Sequence, residues 1–157
     1  MLFRSVAVLG AGVMGAQIAA HCANADVPVV LFDLAGPEGA PNGIVDKAIA
    51  GLKKLDPAPL GSKDRARAIE AANYGSDLEK LRDCDLIIEA IAEKMEWKRD
   101  LYAKVAPFLR ADAIFASNTS GLSINALGEA MPAALRARFC GIHFFNPPRY
   151  KIGRAHV

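Results

Sequence analysis

Residues 6–15 read VAVLGAGVMG, an apolar run that ends in the pattern G-x-G-x-x-G. The apolar residues Val6 to Leu9 predict a buried strand, and the stretch from Val13 to about Asn24 predicts a helix. A second β-branched run, from Val27 to Phe32, follows this helix and stops at Asp33. A glycine-rich turn between a strand and a helix, with another strand behind them, is typical of a dinucleotide-binding βαβ unit.

Each glycine of this loop has a predicted task. Gly10 allows the tight turn, Gly12 allows a pyrophosphate to approach the backbone, and Gly15 allows the helix to pack on the strand. The amides of Val13 and Met14 lie at the start of the helix, where free N–H groups and the helix dipole favour a phosphate. We therefore predict that these five residues bind the cofactor.

The acidic residue at the end of the second strand predicts which dinucleotide is bound. Asp33 follows Gly15 by 18 positions, and a carboxylate there can accept both ribose hydroxyls of the adenosine. It would repel a 2′-phosphate, and no arginine follows it closely, so NAD is favoured over NADP. These residues alone leave open a strand–helix turn of a doubly wound fold that binds another ligand.

Strand and helix signals alternate along the 157 residues, which predicts a single α/β domain. We expect a Rossmann-type, doubly wound, mostly parallel sheet with flanking helices. Beyond the βαβ unit, the patterns predict helices over 44–55, 63–72, 94–110 and 124–130 and strands over 74–76, 85–90, 113–116 and 138–145.

Composition excludes several classes of protein. The net charge is +2 and the basic residues are scattered, so no nucleic-acid partner is expected. No apolar run approaches the ~20 residues of a membrane span, and the first apolar stretch runs into the glycine loop rather than a cleavage site, unlike a signal peptide. Cys22, Cys84 and Cys140 lie far apart, which predicts neither a metal site nor a redox pair but free thiols in a reducing, cytoplasmic setting.

Three later segments carry polar residues where predicted strands end. They are DLIIEAIAEKMEWK at 85–98, SNTS at 117–120 and GIHFFNPP at 141–148. In a parallel sheet these strand ends meet at one edge, where ligands bind. His143 fits a general base, since an imidazole accepts a proton near neutral pH, but it also fits a core histidine among phenylalanines.

The other polar residues of these segments are equally open. Asn118 and Ser120 fit either a polar site or a cap for the next helix, for which Ser123 is the better candidate. Glu93 and Lys98 are five residues apart, which is off the best helical register and on its own favours a solvated pair.

With these segments in order behind the glycine loop, the sequence resembles the 3-hydroxyacyl-CoA dehydrogenase family over residues 4–150. The family motifs are G-x-G-x-x-G, IEA-x-x-E-x-x-x-x-K, SNTS and HFFNP. The resemblance implies NAD-dependent oxidation of the C3 hydroxyl of a 3-hydroxyacyl-CoA, as in fatty-acid β-oxidation. Two alternatives remain: a related dehydrogenase of another 3-hydroxy acid, and a non-catalytic NAD-binding module.

The resemblance also implies roles for single residues. His143 matches the catalytic base, and Ser120 matches the residue that contacts the reacting oxygen. Asn118 and Ser120 match contacts at the nicotinamide end, and Glu93 and Lys98 match further cofactor contacts.

The sequence departs from the family after the proline pair. The family continues with a short LVE strand whose glutamate orients the histidine, whereas this chain reads RYKIGRAHV from Arg149 and has no acidic residue after Glu129. We predict an NAD-binding domain at 1–150 and a non-native tail at 151–157. The family's helical C-terminal domain, which completes the acyl-CoA site, is not in this chain.

These features lead to two further expectations. The chain by itself should bind NAD but oxidise substrate poorly, because the glutamate and the helical domain are missing. The parent is expected to be a homodimer or part of a multifunctional enzyme, since Pro-Pro-Arg-Tyr resembles the longer members of the family.

Overall fold

The computed structural model describes residues 4–151 and 154–156, and this part of the chain contains a seven-stranded sheet. The strands are β1 (Val6–Leu9), β2 (Val29–Asp33), β3 (Ile69–Asn73), β4 (Leu86–Glu89), β5 (Ile114–Ser117), β6 (Phe139–His143) and β7 (Arg154–His156). Their order is β3-β2-β1-β4-β5-β6-β7. The first six strands are parallel and β7 is antiparallel to β6, which confirms the predicted Rossmann-type sheet.

Helices cover both faces of the sheet. They are α1 (Val13–Asn24), α2 (Gly43–Leu52), α3 (Met95–Val105), α4 (Ile124–Ala130) and α5 (Ala133–Arg136), with 3₁₀ turns at Lys63–Ala68, Leu78–Asp83 and Ala106–Phe108. One apolar cluster joins the sheet to α1 and α2, and a second joins it to α3 and α4. Burial on both faces explains why the central strands are almost wholly apolar. Among the described helices, none is long and apolar enough to cross a membrane.

One part of the element prediction is wrong. The helix expected over 63–72 is a 3₁₀ turn followed by β3, and the strand expected over 74–76 lies just beyond the end of β3. The alanines and arginines of this stretch favour a helix locally. Pairing with the edge of β2, from Val29 opposite Ile69 to Asp33 opposite Asn73, overrides that preference because it completes the sheet.

The carboxyl ends of the central strands are aligned. Leu9 of β1 pairs with Glu89 of β4, Glu89 with Ser117 of β5, and Ser117 with Gly141 of β6. The strand order reverses at β1, so the crevice between β1 and β4 is the switch point at which doubly wound folds bind ligands. Each of the three later segments singled out in the sequence contains the carboxyl end of one of these strands.

The last strand involves the predicted tail. Residues 154–156 pair with β6 and place Arg154 in register with His143. Residues 152, 153 and 157 lie outside the described part of the chain. The domain boundary at 150 and the origin of residues 151–157 stay predictions.

Candidate active site

The glycine loop leaves no space for side chains at two of its three glycines. Gly10 has φ +105°, a conformation that favours glycine, and an added Cβ there would lie 2.9 Å from the carbonyl oxygen of Ala90. An added Cβ at Gly15 would lie 1.7 Å from the carbonyl oxygen of Gly10. The turn and the approach of α1 to the loop therefore both require glycine.

Gly12 differs from its neighbours because a Cβ there would meet no protein atom within 4 Å. It is the N-cap of α1 and supplies no side-chain cap. The first amides of a helix have no acceptor within the helix, and in α1 these belong to Val13, Met14 and Gly15. An open backbone face beside uncapped amides fits a bound pyrophosphate.

Asp33 is oriented toward this loop by two backbone amides. Its Oδ2 accepts a hydrogen bond from the Ala11 amide at 2.6 Å, and its Oδ1 accepts one from the Leu34 amide at 2.7 Å. The carboxylate therefore lies at the mouth of the crevice, where the ribose of a dinucleotide is expected.

A cleft of about 530 Å³ opens next to Asp33. Its lining is contributed by the strand ends and by one side of α3: Gly10, Gly12, Asp33, Leu34, Tyr74, Ala90, Ile91, Ala92, Trp97, Asp100, Leu101 and Lys104. Sequence reasoning missed the contribution of α3. The spacing of Trp97, Leu101 and Lys104 was a usable signal, because residues four and seven apart share one face of a helix.

Tyr74 is a second residue that the sequence did not indicate. It stacks on Phe32 with ring centroids 6.0 Å apart, and its hydroxyl is buried with no hydrogen-bond partner among the described residues. Burial, together with the charges of Asp33 and Glu89, raises the pKa of this hydroxyl. The phenol therefore stays neutral at the inner wall of the cleft.

A buried polar cluster lies beneath the strand ends. Lys98 is 1% exposed, and its Nζ is 2.5 Å from Oε1 of Glu89. The hydroxyls of Tyr102 and Ser117 donate hydrogen bonds to Oε2 of Glu89 at 2.9 and 2.7 Å. Lys98 is thus directed into the protein toward Glu89 and is not among the residues that line the cleft.

Glu93 lies against the SNTS turn. Its Oε1 accepts a hydrogen bond from the Ser120 amide at 2.5 Å, and its Oε2 accepts one from the Thr119 hydroxyl at 3.0 Å and one from the Gly121 amide at 3.1 Å. Burial acts to raise the pKa of Glu93, but these three donors and the charge of Lys98 lower it below the ordinary 4.5. Glu93 is therefore a carboxylate at neutral pH.

Ser120 and His143 meet across the ends of β5 and β6. The hydroxyl of Ser120 is 2.8 Å from Nε2 of His143. The histidine is half-buried and packs edge-on against Phe145, with ring centroids 4.9 Å apart. Asn118 holds the residue just beyond the end of β6, because its Oδ1 accepts a hydrogen bond from the Phe144 amide at 2.8 Å.

The structure therefore brings most of the predicted site residues to one edge of the sheet. The glycine loop and Asp33 lie at the ends of β1 and β2, and Asn118, Ser120 and His143 lie at the ends of β5 and β6. In the described part of the chain, the hydrogen bond of the His143 ring is to Ser120, and no carboxylate pairs with it.

A parallel sheet with a glycine loop at its switch point and an aspartate at the end of β2 defines a dinucleotide-binding Rossmann domain. More specifically, the chain belongs to the 3-hydroxyacyl-CoA dehydrogenase, NAD binding domain family, whose model matches residues 5–151. This confirms the family resemblance and the prediction of NAD as the cofactor.

Similar proteins are longer than this chain. It is 48% identical over 148 residues to a putative fatty acid oxidation complex trifunctional enzyme of Rickettsia felis, covering 94% of this chain and 21% of that protein. It is 44% identical to a probable 3-hydroxyacyl-CoA dehydrogenase of Deinococcus radiodurans, covering 96% and 44%. The crystal structure of (S)-3-hydroxybutyryl-CoA dehydrogenase from Ralstonia eutropha matches with a TM-score of 0.76 and 30% identity, covering 98% and 54%.

Proposed function

We propose that the protein to which this domain belongs oxidises the C3 hydroxyl of a 3-hydroxyacyl-CoA to a 3-oxoacyl-CoA. This chain would supply the NAD site and two catalytic side chains. The observation that carries the proposal is the 2.8 Å contact between the Ser120 hydroxyl and Nε2 of His143, at the sheet edge that also holds the glycine loop.

The residues of the cofactor cleft fit NAD. The open backbone at Gly12 and the amides of Val13 and Met14 would hold the pyrophosphate, and Asp33 would accept the ribose hydroxyls. NAD, when bound, supplies the acceptor for the hydride that leaves C3 of the substrate.

His143 and Ser120 would carry out the removal of the proton from the hydroxyl group on C3 of the substrate. Nε2 of His143 removes this proton as the hydride leaves, since a neutral imidazole is a competent base. The Ser120 hydroxyl is close enough to Nε2 for both groups to contact the substrate oxygen. Ser120 donates a hydrogen bond that keeps this oxygen in line with the base. The proton thus moves to His143 while Ser120 positions the oxygen.

The proposal extends to the rest of the protein. An acyl-CoA substrate needs a surface beyond this domain, so we expect a helical domain outside residues 1–150, in a homodimer or in a larger multifunctional enzyme. The cysteines at 22, 84 and 140 are free thiols, which supports a cytoplasmic location. Since no carboxylate orients His143 in the described part of the chain, we expect this chain alone to turn over slowly.

The experiment replaces His143 in the protein that carries this domain. We expect His143→Gln to lower kcat for 3-hydroxyacyl-CoA oxidation about 1,000-fold, because general base catalysis contributes on this scale. The dissociation constant for NAD should not change. NADH production from 3-hydroxyacyl-CoAs of several lengths measures the first quantity, and calorimetry measures the second.

The matched control is His21→Gln, which changes an exposed histidine of α1 in the same way and should leave kcat unaltered. An unchanged rate in His143→Gln would remove the base assignment. NAD binding without turnover of any 3-hydroxy substrate would instead indicate a non-catalytic module, and turnover only of other 3-hydroxy acids would indicate a related dehydrogenase.

A further inference from the structure

We infer that Trp97 sets the affinity for the cofactor by stacking its indole ring on the adenine base, in the cleft beside Asp33. The inference rests on the proposed function, in which NAD occupies this cleft. Trp97 stands at one of the unspecified positions of the IEA-x-x-E-x-x-x-x-K motif, so the resemblance to known dehydrogenases assigns it no role.

The exposure of Trp97 is the first observation that supports this role. It is the one tryptophan of the chain, and it is 52% exposed, although tryptophan is highly buried on average. It also lines the cleft of about 530 Å³, a volume within the range of about 300–1,000 Å³ that small-molecule sites occupy. A large apolar ring is therefore available to a ligand in this cleft.

The indole ring is held in place before any ligand binds. Nζ of Lys94 lies over the ring of Trp97, 4.1 Å from its centroid, and a cation at this distance is attracted to the ring face. Lys94 is the N-cap of α3, so both partners belong to the start of one helix. A ring that is already ordered loses little conformational freedom on binding, and the base would take the face that Lys94 does not cover.

The position of the cleft selects the adenine half of NAD. Gly12 and Asp33, the proposed contacts of the pyrophosphate and of the adenosine ribose, both line it together with Trp97. Ser120 and His143, which the structure describes, lie outside its lining. Hydride transfer requires the nicotinamide beside that pair, so the base next to Trp97 is the adenine.

The other walls of the cleft suit a flat, uncharged base. Leu101 follows Trp97 by four positions on the same face of α3, and Leu34, just beyond β2, is 65% exposed and lines the cleft as well. Removing these apolar surfaces from water is favourable. A purine packed among them gains affinity without needing a charged partner.

Substitutions of Trp97 test the inference by calorimetry with NAD and with ADP-ribose, which has the adenine but lacks the nicotinamide. We expect Trp97→Leu to weaken the affinity for both ligands about tenfold, because stacking on an aromatic ring contributes on this scale. Trp97→Phe keeps an aromatic face and should stay within about threefold of the unaltered chain. The midpoint of urea denaturation should not change in either variant, since half of the ring is already exposed.

The matched control is Tyr150→Leu. Tyr150 is 53% exposed and also carries a cation over its ring, with Cζ of Arg149 5.4 Å from the centroid, but it lies outside the lining of the cleft. Its replacement should leave the dissociation constants for NAD and ADP-ribose unchanged.

Fluorescence gives a second, direct measurement. Because Trp97 is the one tryptophan of the chain, the tryptophan emission reports on this ring alone. Saturation with ADP-ribose should quench the emission to the same extent as saturation with NAD, because the adenine is common to both ligands.

Three results would overturn the role of Trp97. They are an unchanged affinity for ADP-ribose in Trp97→Leu, equal losses of affinity in Trp97→Leu and Trp97→Phe, and quenching by NAD without quenching by ADP-ribose. None of these measurements depends on turnover. If ADP-ribose binds as expected but the protein that carries this domain oxidises no 3-hydroxyacyl-CoA, the proposed function fails and the role of Trp97 stands.

Discussion

The two ends of the candidate site are built in different ways. At the glycine loop, backbone lies against backbone: the Gly10 carbonyl occupies the space where a Cβ of Gly15 would be. At the Ser120–His143 pair, side chains hold the chain in place: Glu93 binds the turn 119–121, and Asn118 binds the amide of Phe144, the residue that follows His143. The first arrangement tolerates no larger residue at Gly10 or Gly15, whereas the second depends on matched donors and acceptors.

We expect the largest effect on stability in the buried polar cluster of Glu89 and Lys98, at the end of the site that holds the Ser120–His143 pair. Lys98→Met leaves Glu89 buried without its cation, and breaking a buried pair costs about 3 to 5 kcal/mol of unfolding free energy. Urea denaturation of this chain measures the loss. The control Lys47→Met, at an exposed position of α2, should stay within about 0.5 kcal/mol.

The same pair shows whether charge is the cause of that loss. Adding Glu89→Gln to Lys98→Met should restore part of the stability, because no uncompensated charge is then buried. A cost below about 1 kcal/mol for Lys98→Met alone would mean that Lys98 is not enclosed as the structure shows.

We expect the next largest effect on stability in the glycine loop. Gly15→Ala forces a methyl group onto the Gly10 carbonyl oxygen, so we expect a loss of about 3 kcal/mol in the free energy of unfolding, the upper part of the usual overpacking range. Thermal or urea denaturation checks this. Gly51→Ala is the matched control, since a Cβ there meets nothing within 4 Å and alanine favours a helix. Equal stabilities of the two variants would contradict the steric account.

Gly12→Ala sharpens the comparison within the loop. Its methyl group meets no protein atom within 4 Å, so the free energy of unfolding should fall by no more than about 1 kcal/mol, the usual scale for an alanine at an N-cap. The methyl group would instead occupy the space of the pyrophosphate, and we expect the affinity for NAD to fall tenfold or more, at least about 1.4 kcal/mol. A variant that binds NAD normally in calorimetry would show that the pyrophosphate does not lie over Gly12.

The same contrast explains which elements could be predicted. Helix α1 and strand β1 have the predicted bounds, because both are defined by apolar runs and by glycine positions that lie close together in the chain. Helix α4 has the predicted bounds as well, and Ser123 caps it by accepting a hydrogen bond from the Ala126 amide. Strand β3 was predicted as a helix, because its partner strand β2 lies some forty residues earlier in the sequence.

The sequence by itself determined the nucleotide loop, the alternation of strands and helices and the family, since each depends on residues near one another in the chain. Only the tertiary structure decided where the side chains of Glu93 and Lys98 point. Glu93 and Lys98 are five residues apart, yet the first contacts the turn 119–121 and the second is buried against Glu89. The physical reason is that the partners of a side chain are set by the strand ends that pack around it. The spacing of residues within one segment does not specify which other segments will pack against it.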